Sequence, residues 1–407
     1  MDVIAIINDQ VITPYELIKD GVILIKDSNI VALGNKEEFE ILNDCQIIDA
    51  NGLFVGPGFI DIHNHGGGGY WAHENPIAVA KYHMKFGTTG LLPTLAYFLN
   101  KDGLQKSVEL YVETKKNNNK YSDLLLGIHL EGPFLNPKYG AITSEIRKVD
   151  REEYKKLLEI AGKHIKIWTI APEMEGQEEL VKYASTYNDI VFSVGHSEAT
   201  PEQIFPLVPK GLNLACHFSN ATGVTPHPSR FDGTRELGVD EAVLLHENIK
   251  VEVIPDRAGI HVRPLMIQLL VKVKGIEKVI IITDAMKDAG LETKDEDTPE
   301  SIKGFKNYGD LNFTNEGELN GSLLTMNKAV RNMMRHTGIN IIDAFRMAST
   351  NPARLLGLDS MLGSLEVGKK ANLIFVDEEM NVHRVFFQGE QIFNVNKDEV
   401  SKKEMAN

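Results

Sequence analysis

Two histidines at the end of an apolar run, in FIDIHNHGGGG (59–69), are the first residues of this sequence that could do chemistry. Residues two apart on a strand point to the same face, so His63 and His65 can both direct an imidazole to one centre. Such a pair either binds a metal ion or forms ordinary hydrogen bonds where a buried strand meets a loop. The pair alone leaves both interpretations open.

Four further side chains of the metal-ligand type lie within two or three residues of the ends of other apolar runs, namely Glu131, His196, His217 and Asp284. Imidazole and carboxylate suit Zn²⁺ or Fe²⁺, and the lack of a cysteine in the set argues against a structural zinc site. A catalytic site of this kind keeps coordination positions open, where a water molecule can ionise near neutral pH. Together the six residues predict a catalytic centre for one or two divalent metal ions.

The elements that must position these residues repeat along the middle of the chain as an apolar run, a polar or glycine-rich loop and a helix-like stretch. The eight runs are 58–65, 88–94, 124–132, 165–173, 189–197, 212–220, 249–256 and 278–286. Continuous apolar strands that alternate with helices indicate a parallel sheet covered on both faces. Eight such units predict an α/β fold, a (β/α)8 TIM-like barrel whose chemistry lies at the carboxyl ends of the strands. An open doubly wound sheet is the alternative, but no G-x-G-x-x-G motif follows the first run.

The two ends of the chain differ from this middle part. Residues 1–54 and 363–395 show strand alternation with turn signals and little helix, which predicts one small β-sandwich domain built from both termini. The barrel domain is then 55–362. Within it, 323–338 and 340–357 read as two helices that follow the eighth strand.

The formal net charge of −14 argues against a nucleic-acid partner or an anionic membrane surface. No apolar run approaches the ~20 residues of a membrane span, and the amino terminus has no basic stretch before its apolar residues. The two cysteines, Cys45 and Cys216, read as thiols of a reducing compartment, so we expect a cytoplasmic protein. Cys216 has the opposite strand parity to His217 and is expected to face the outer helices.

Several stretches of the sequence resemble the amidohydrolase superfamily, and within it the N-acetylglucosamine-6-phosphate deacetylase family. The motifs are PGFIDIHNHG, HLEGPFLNP, VGHSEAT, HFSNAT, TDAM, GSLLTMNKAVRN and GSLEVGKKANLIFVD, which run almost from end to end of the chain. HLEGPFLNP and GSLLTM with AVRN are specific to the deacetylase branch, whereas PGFID-H-H and G-L-VGK-AN are shared across the superfamily. The resemblance implies a metal-dependent barrel that releases acetate from an N-acetyl amino sugar phosphate, and a homodimer.

The resemblance also implies roles for individual residues. Glu131, His196 and His217 match the metal ligands found throughout the family, and His63 and His65 match the pair that holds a second metal ion in binuclear members. Asp284 matches the catalytic aspartate and completes the ligand set. Substrate-contacting positions are matched by Ala141, Asn220, Ala221, His261, Asn320, Gly321 and Ser322.

The sequence departs from the family pattern in three places, all at the substrate end. Ile142 stands where relatives usually have a histidine that contacts the sugar. The stretch GVTPHPSRFDGTRE is longer than usual, which leaves Arg235 or Arg230 as the phosphate-binding arginine. The usual Asp-Gly-x-His becomes DRAGIHV, with two extra residues between Asp256 and Gly259.

We therefore predict hydrolysis of the acetamide of N-acetylglucosamine 6-phosphate by a metal-activated water. Asp284 would accept the water proton and return it to the leaving amine, and His261 would donate to the oxyanion. One alternative is a deacetylase of another N-acetyl sugar, such as N-acetylgalactosamine 6-phosphate or an unphosphorylated sugar. A second is another amidohydrolase reaction, although many such enzymes use a carboxylated lysine at a strand end, where this chain has Glu131. A third, an inactive binding protein on the same fold, is disfavoured because all six ligand-type residues are present.

Overall fold

Short buried strands alternate with helices through the middle of the chain, and further strands lie at both ends. The computed structural model describes residues 3–39, 45–117, 119–187, 189–223, 234, 236–291 and 309–395. The strands there are β1 (Ile4–Ile12), β2 (Leu17–Lys26), β3 (Asn29–Asn35), β4 (Gln46–Asp49), β5 (Phe54–Pro57), β6 (Phe59–Asn64), β7 (Gly66–Gly67), β8 (Tyr70–Trp71), β9 (Thr88–Leu95), β10 (Ile128–Glu131), β11 (Ile165–Ile170), β12 (Val191–Val194), β13 (Leu212–Ala215), β14 (Lys250–Val253), β15 (Val279–Ile281), β16 (Leu311–Phe313), β17 (Leu319–Ser322), β18 (Leu373–Val376), β19 (Val382–Phe387) and β20 (Glu390–Asn394). The α-helices there are α1 (Pro76–Met84), α2 (Lys101–Lys116), α3 (Arg151–Ala161), α4 (Gln177–Ala184), α5 (Pro201–Ile204), α6 (Val239–Leu245), α7 (Pro264–Lys274), α8 (Met326–Thr337), α9 (Ile341–Phe345) and α10 (Asn351–Leu355).

The central sheet has eight strands in the order β6, β9, β10, β11, β12, β13, β14 and β15, and every neighbouring pair is parallel. Each strand falls inside or within one residue of one of the eight predicted apolar runs. A parallel bridge between Asn64 and Ala285 joins the first strand region to the last, next to a hydrogen bond from Asp284 N to His63 O of 2.9 Å. The prediction of a (β/α)8 barrel is confirmed, and an open doubly wound sheet is wrong.

The barrel strands are apolar throughout because both of their faces are covered. All six residues of β6 and all eight residues of β9 are buried. The surrounding helices cover the sheet with one apolar stripe each, as Tyr154, Leu157, Leu158 and Ala161 show on α3 by their spacing of three and four residues. Asp150 caps the same helix by accepting hydrogen bonds from the first-turn backbone amides.

The strands from both ends of the chain form a second, separate eight-stranded sheet. Its order is β20, β19, β18, β5, β1, β2 and β3, with β4 also pairing with β1. The sheet has its own apolar cluster, to which both ends contribute, for example Ile23 and Val55 from the first and Phe375 and Phe386 from the second. Strand β5 extends to Pro57, so this sheet reaches slightly beyond residue 54.

The two predicted helices after the eighth strand are present as α8 and as α9 with α10, which are joined by a π-helical turn over Arg346–Thr350. Asn351, at the start of α10, donates from Nδ2 to the carbonyl oxygens of Ile276 (2.7 Å) and Val279 (2.8 Å) and so fixes this helical segment to the start of β15. Among the described helices, none combines the length and the apolar character that crossing a membrane requires.

Candidate active site

The six ligand-type residues all lie at the carboxyl end of the barrel. His63 and His65 lie at the end of β6, Glu131 is the last residue of β10, and His196, His217 and Asp284 follow β12, β13 and β15 within three residues. Five different strands therefore deliver side chains to one place, because the carboxyl ends of parallel barrel strands surround a single mouth. The structure brings all six predicted ligands together.

Three of these residues leave their strand through an unusual backbone conformation. The φ angles of His196, His217 and Asp284 are 48°, 26° and 49°, in the left-handed region that non-glycine residues rarely adopt. Such strain costs about 1–3 kcal/mol per residue and persists where the surrounding structure holds it, commonly at functional sites. Here it breaks the strand alternation just where each side chain must turn into the mouth.

Glu131 joins two groups of side chains, and the first contains His196 and His217. Its Oε1 lies 2.9 Å from Nε2 of His196 and 3.2 Å from Nε2 of His217. The two Nε2 atoms are themselves 3.1 Å apart. All three side chains are buried, so these atoms share a small space with little access for solvent.

The second group contains His63, His65 and Asp284. Nε2 of His65 lies 3.3 Å from Glu131 Oε2 and 3.1 Å from Asp284 Oδ1. Nε2 of His63 lies 3.4 Å from Glu131 Oε1 and 3.6 Å from Asp284 Oδ1. Glu131 thus faces both groups with its two oxygens, which is the arrangement in which one carboxylate can contact two cations.

Hydrogen bonds at the opposite ring nitrogen orient the histidines. The acceptors are the carbonyl oxygen of Thr94 for His65 (3.1 Å), of Tyr139 for His196 (3.1 Å) and of Asn220 for His217 (3.0 Å). A carbonyl oxygen can only accept, so each Nδ1 carries the hydrogen and each Nε2 directs a lone pair to the centre. This is the pattern in which histidine binds a metal ion.

The donor set fits a divalent cation. Two lone pairs facing each other at 3.1 Å, as at His196 and His217, repel unless a positive charge lies between or beside them. Two buried atoms of the same cluster, His63 Nε2 and Glu131 Oε2, have no hydrogen-bond partner in the described part of the chain. Buried polar atoms rarely stay unpaired, and a coordinated metal ion would satisfy both.

Charge in the cluster favours cation binding. Burial opposes ionisation of Asp284, but the neighbouring His63 and His65 outweigh it and hold the pKa of that carboxyl below its usual range. Glu131 is held ionised in the same way, chiefly by His196, with its pKa well below the ordinary value. Burial also disfavours a charged His65, yet Asp284 and Glu131 raise its pKa to about 9, so without a metal ion its Nε2 holds a proton, which a bound ion would displace. The carboxylates therefore attract positive charge to the centre, which a divalent metal ion supplies.

A cavity of about 260 Å³ opens above the cluster and contains most of the predicted substrate contacts. Ala141, Asn220, Ala221, Asn320 and Gly321 line it, together with the ligands His65, Glu131, His196, His217 and Asp284. The hairpin of β16 and β17 forms one wall. Its position beside Asp284 is fixed by a hydrogen bond from Ser322 N to Asp284 O of 2.8 Å.

Two other predicted contacts point away from this cavity. His261 faces Asp256 with Nδ1 (3.1 Å to Oδ2) and the carbonyl oxygen of Gly321 with Nε2 (3.0 Å), so it contacts the hairpin wall rather than lining the space. Ser322 donates its hydroxyl to Thr283 O at 2.6 Å. Arg230 and Arg235 lie outside the described residues.

Sequence reasoning missed some residues of the site and misplaced one. The expectation that Cys216 faces the outer helices is wrong, because its Sγ lies 3.7 Å from Nδ1 of His63. Glu252, a carboxylate inside the apolar run 249–256, contacts the same nitrogen, and its polar character within that run was an available signal. Tyr97 and Glu318 line the cavity, and nothing in their local pattern indicated it.

Buried strand-end histidines and carboxylates in a parallel barrel define the class of metal-dependent barrel hydrolases. A family model described as "Amidohydrolase family" matches residues 209–392. N-acetylglucosamine-6-phosphate deacetylase of Bacillus subtilis (strain 168) is 32% identical over 398 residues, which cover 94% of this chain and 95% of that protein. N-acetylgalactosamine-6-phosphate deacetylase of Escherichia coli O157:H7 is 30% identical over 342 residues, 82% of this chain and 86% of that protein.

The solved structures agree with these relatives. The crystal structure of N-acetylglucosamine-6-phosphate deacetylase from Pasteurella multocida superposes with a TM-score of 0.82 at 29% identity, covering 96% of this chain and all of the other. The chain belongs to the N-acetylglucosamine-6-phosphate deacetylase family of the amidohydrolase superfamily. It is accordingly a hydrolase that acts on an amide bond.

Proposed function

We propose that this enzyme hydrolyses the acetamide of N-acetylglucosamine 6-phosphate to give glucosamine 6-phosphate and acetate. The observation that carries the proposal is that Asp284 contacts the cluster of histidines and Glu131 and also lines the cavity, together with five of the positions matched to substrate contacts. Relatives that carry this activity in their names cover nearly the whole chain.

The mechanism follows from where the side chains lie. Glu131 and the surrounding histidines would hold a divalent cation, which would supply Lewis-acid polarisation of the amide carbonyl and would lower the pKa of a water molecule from ~15.7 towards ~7. Asp284, ionised and at the cavity floor, accepts the proton that water loses as it attacks the carbonyl carbon. The same carboxyl then returns this proton to the amine nitrogen as the carbon–nitrogen bond breaks. The second proton of the water leaves the acetic acid product and is taken up by the amine, which gives acetate and an ammonium group. His261 contacts the carbonyl oxygen of Gly321 and so helps to hold the cavity wall in place beside the substrate.

Zinc or ferrous iron is the metal that we propose for the site, because its ligands are imidazole nitrogens and carboxylate oxygens. Two donor groups share Glu131, so we propose two ions per subunit rather than one.

A homodimer in the cytoplasm is proposed from the family resemblance and from the free thiols. Residues 1–54 with 363–395, and 55–362, are the two domains that we propose.

The described residues of the cavity carry no lysine or arginine side chain that could bind a phosphate. Among them, Glu131, Asp284 and Glu318 are acidic. We therefore assign the phosphate contact to Arg235 or Arg230, which follow the cavity-lining Asn220 and Ala221 in the sequence.

A second candidate substrate is N-acetylgalactosamine 6-phosphate. The relative named for that activity is 30% identical, almost as similar as the glucosamine enzyme of Bacillus subtilis. The two sugars differ only in the configuration of one hydroxyl group. The three departures from the family pattern all lie at the substrate end of the site, which is the part that must distinguish the two sugars.

The deciding experiment measures acetate release from N-acetylglucosamine, N-acetylgalactosamine and N-acetylmannosamine, each with and without a 6-phosphate. We expect the highest kcat/KM for N-acetylglucosamine 6-phosphate and at least a tenfold loss without the phosphate. Arg235→Ala and Arg230→Ala are measured beside it, and the arginine that binds phosphate should raise KM only for the phosphorylated sugar. Equal rates with and without phosphate would contradict the assignment of an arginine anchor, and absence of acetate release from every sugar would contradict the function.

A further inference from the structure

Glu252 is a fully buried carboxylate beside the metal-ligand cluster, and the mechanism above does not use it. It lies on β14, and its side chain has no exposed surface. Its Oε2 accepts from Nδ1 of His63 at 3.1 Å and lies 3.4 Å from the backbone N of His217. Its other oxygen, Oε1, has no hydrogen-bond partner among the described residues. Burying a carboxylate this deeply is costly, so a purely structural role would be better served by an apolar residue.

His63 is the one histidine of the cluster whose orienting partner is an ionisable side chain. His65, His196 and His217 donate from Nδ1 to backbone carbonyl oxygens instead. A carboxylate withdraws the Nδ1 proton more strongly than a carbonyl does, which makes the opposite nitrogen a better electron donor. That opposite nitrogen of His63 is the buried, unpaired Nε2 that faces Glu131 and Asp284.

We propose that Glu252 is a positioning residue that determines whether the second metal ion, the one in the group of His63, His65 and Asp284, stays bound. This inference rests on the metal centre of the proposed function and extends it to the number of ions. Glu252 fixes the tautomer and the ring orientation of His63. The rings of His196 and His217 are oriented by backbone carbonyl oxygens, and the amide oxygen of a glutamine at position 252 can still accept from the backbone N of His217, so the ion of that group is expected to stay in Glu252→Gln.

Cys216 is the competing explanation, because its Sγ lies 3.7 Å from the same Nδ1. A thiol at that distance contacts the ring more weakly than the carboxylate oxygen at 3.1 Å. Replacing each partner in turn separates the two contributions. Cys216→Ala, which removes the other side-chain contact of His63 Nδ1, is therefore the matched variant.

The test measures metal binding rather than turnover. Metal-free wild type and Glu252→Gln are equilibrated with buffered Zn²⁺ over a range of free concentrations, and bound zinc per subunit is measured by mass spectrometry. Glutamine keeps the size and an acceptor for Nδ1 but removes the charge. We expect the first equivalent to bind as in wild type and the second to bind 10–100-fold more weakly. Titration with Co²⁺ gives an independent spectroscopic count of the two ions.

Two controls accompany this measurement. Cys216→Ala is expected to keep both equivalents, and so is Glu153→Gln, which removes another buried carboxylate, the partner of Arg147. The thermal melting of each metal-free variant shows whether the chain is folded. If Glu252→Gln does not fold, Glu252→Asp replaces it, since it keeps the charge but shortens the reach, and the same selective loss is expected.

The proposal is overturned if the folded Glu252 variant binds both equivalents as wild type does, or if both equivalents weaken to the same extent. It is also overturned if wild type binds a single ion, or if Cys216→Ala loses the second ion while Glu252→Gln keeps it. Acetate release by the wild type is measured separately. An active wild type with unaltered zinc binding in Glu252→Gln would reject this inference alone, whereas an inactive wild type would reject the proposed function.

Discussion

Glu131 is the residue on which the site depends, because its two oxygens contact both groups of histidines. Oε1 lies closest to His196, at 2.9 Å, and Oε2 lies 3.3 Å from His65. The sequence predicted Glu131 as a ligand from its residue type and its position at a strand end. The sequence could not predict that Glu131 contacts both groups, because this depends on how far apart the strand ends lie around the barrel. No local sequence pattern encodes that distance.

Asp284 is expected to carry the proton transfers, and Asp284→Asn removes its ability to accept a proton. Amide hydrolysis should fall about 10²–10⁴-fold in kcat, the usual contribution of a general base. The measurement is kcat for acetate release with zinc content determined on the same sample, because Asp284 also faces His63 and His65. The exposed Asp288→Asn is the control and should keep full activity. Near wild-type turnover of metal-loaded Asp284→Asn would contradict the assignment.

The wrong prediction for Cys216 shows where strand alternation no longer indicates the direction of a side chain. Alternation assumes an extended backbone, and β13 ends at Ala215, one residue before Cys216. His217 then takes a φ of 26°, so the chain turns and both neighbours reach the region of His63. The eight strands themselves were predictable because strands covered on both faces must be apolar throughout. Their exact ends were not, and the site lies at those ends.

Closure of the barrel between its first and last strands depends on buried polar contacts. Thr283, after β15, donates its hydroxyl to Asp61 of β6 at 2.5 Å, and Asn64 donates to the same carboxylate at 3.1 Å. Thr283→Val removes one donor from a buried carboxylate, so we expect about 1–3 kcal/mol of destabilisation. Chemical denaturation of the metal-free protein measures this loss. Thr283→Ser keeps the hydroxyl and should recover most of it, whereas equal losses in both variants would assign the effect to packing.

The terminal sheet offers a pH prediction at Asp9 of β1. This carboxyl lies opposite Gly21 of β2, and burial raises its pKa to about 7. The folded state then holds a proton that the unfolded state loses near pH 4, so the contribution of Asp9 to stability falls as pH rises from about 4 to 7. Asp9→Asn removes this dependence and should stabilise the protein by about 1–3 kcal/mol at pH 8 relative to its effect at pH 4. Melting temperatures across this pH range measure it.

The exposed Asp20→Asn on the neighbouring strand β2 is the control for Asp9. Its melting temperature should follow that of wild type at each pH. If the difference between Asp9→Asn and wild type stays constant from pH 4 to pH 8, Asp9 is ionised in the folded protein as in the unfolded one, and the prediction is wrong.

The cluster of histidines and carboxylates at the barrel mouth also connects distant parts of the chain. Its side chains come from five of the eight barrel strands, and from residues as far apart in sequence as His63 and Asp284. Any ligand that binds only the folded state stabilises it by mass action, about 4 kcal/mol when its concentration is 1,000 times Kd. Removal of a bound cation would also leave the carboxylates and lone pairs of the cluster without a partner.

Removal of the metal by a chelator should therefore lower the melting temperature of the whole barrel, by about 5 °C or more for a stabilisation of this size. Zn²⁺ should restore the original value, whereas Mg²⁺ should not, because imidazole nitrogens are poor ligands for Mg²⁺. His217→Ala provides the matched comparison, since it removes a ligand of Glu131's first group without touching His63 or His65. Its melting temperature should respond less to chelation than that of wild type. A chelated wild type that melts at the temperature of the zinc-loaded protein would show that the cluster holds no ion, because ions bound only by the folded chain must stabilise it.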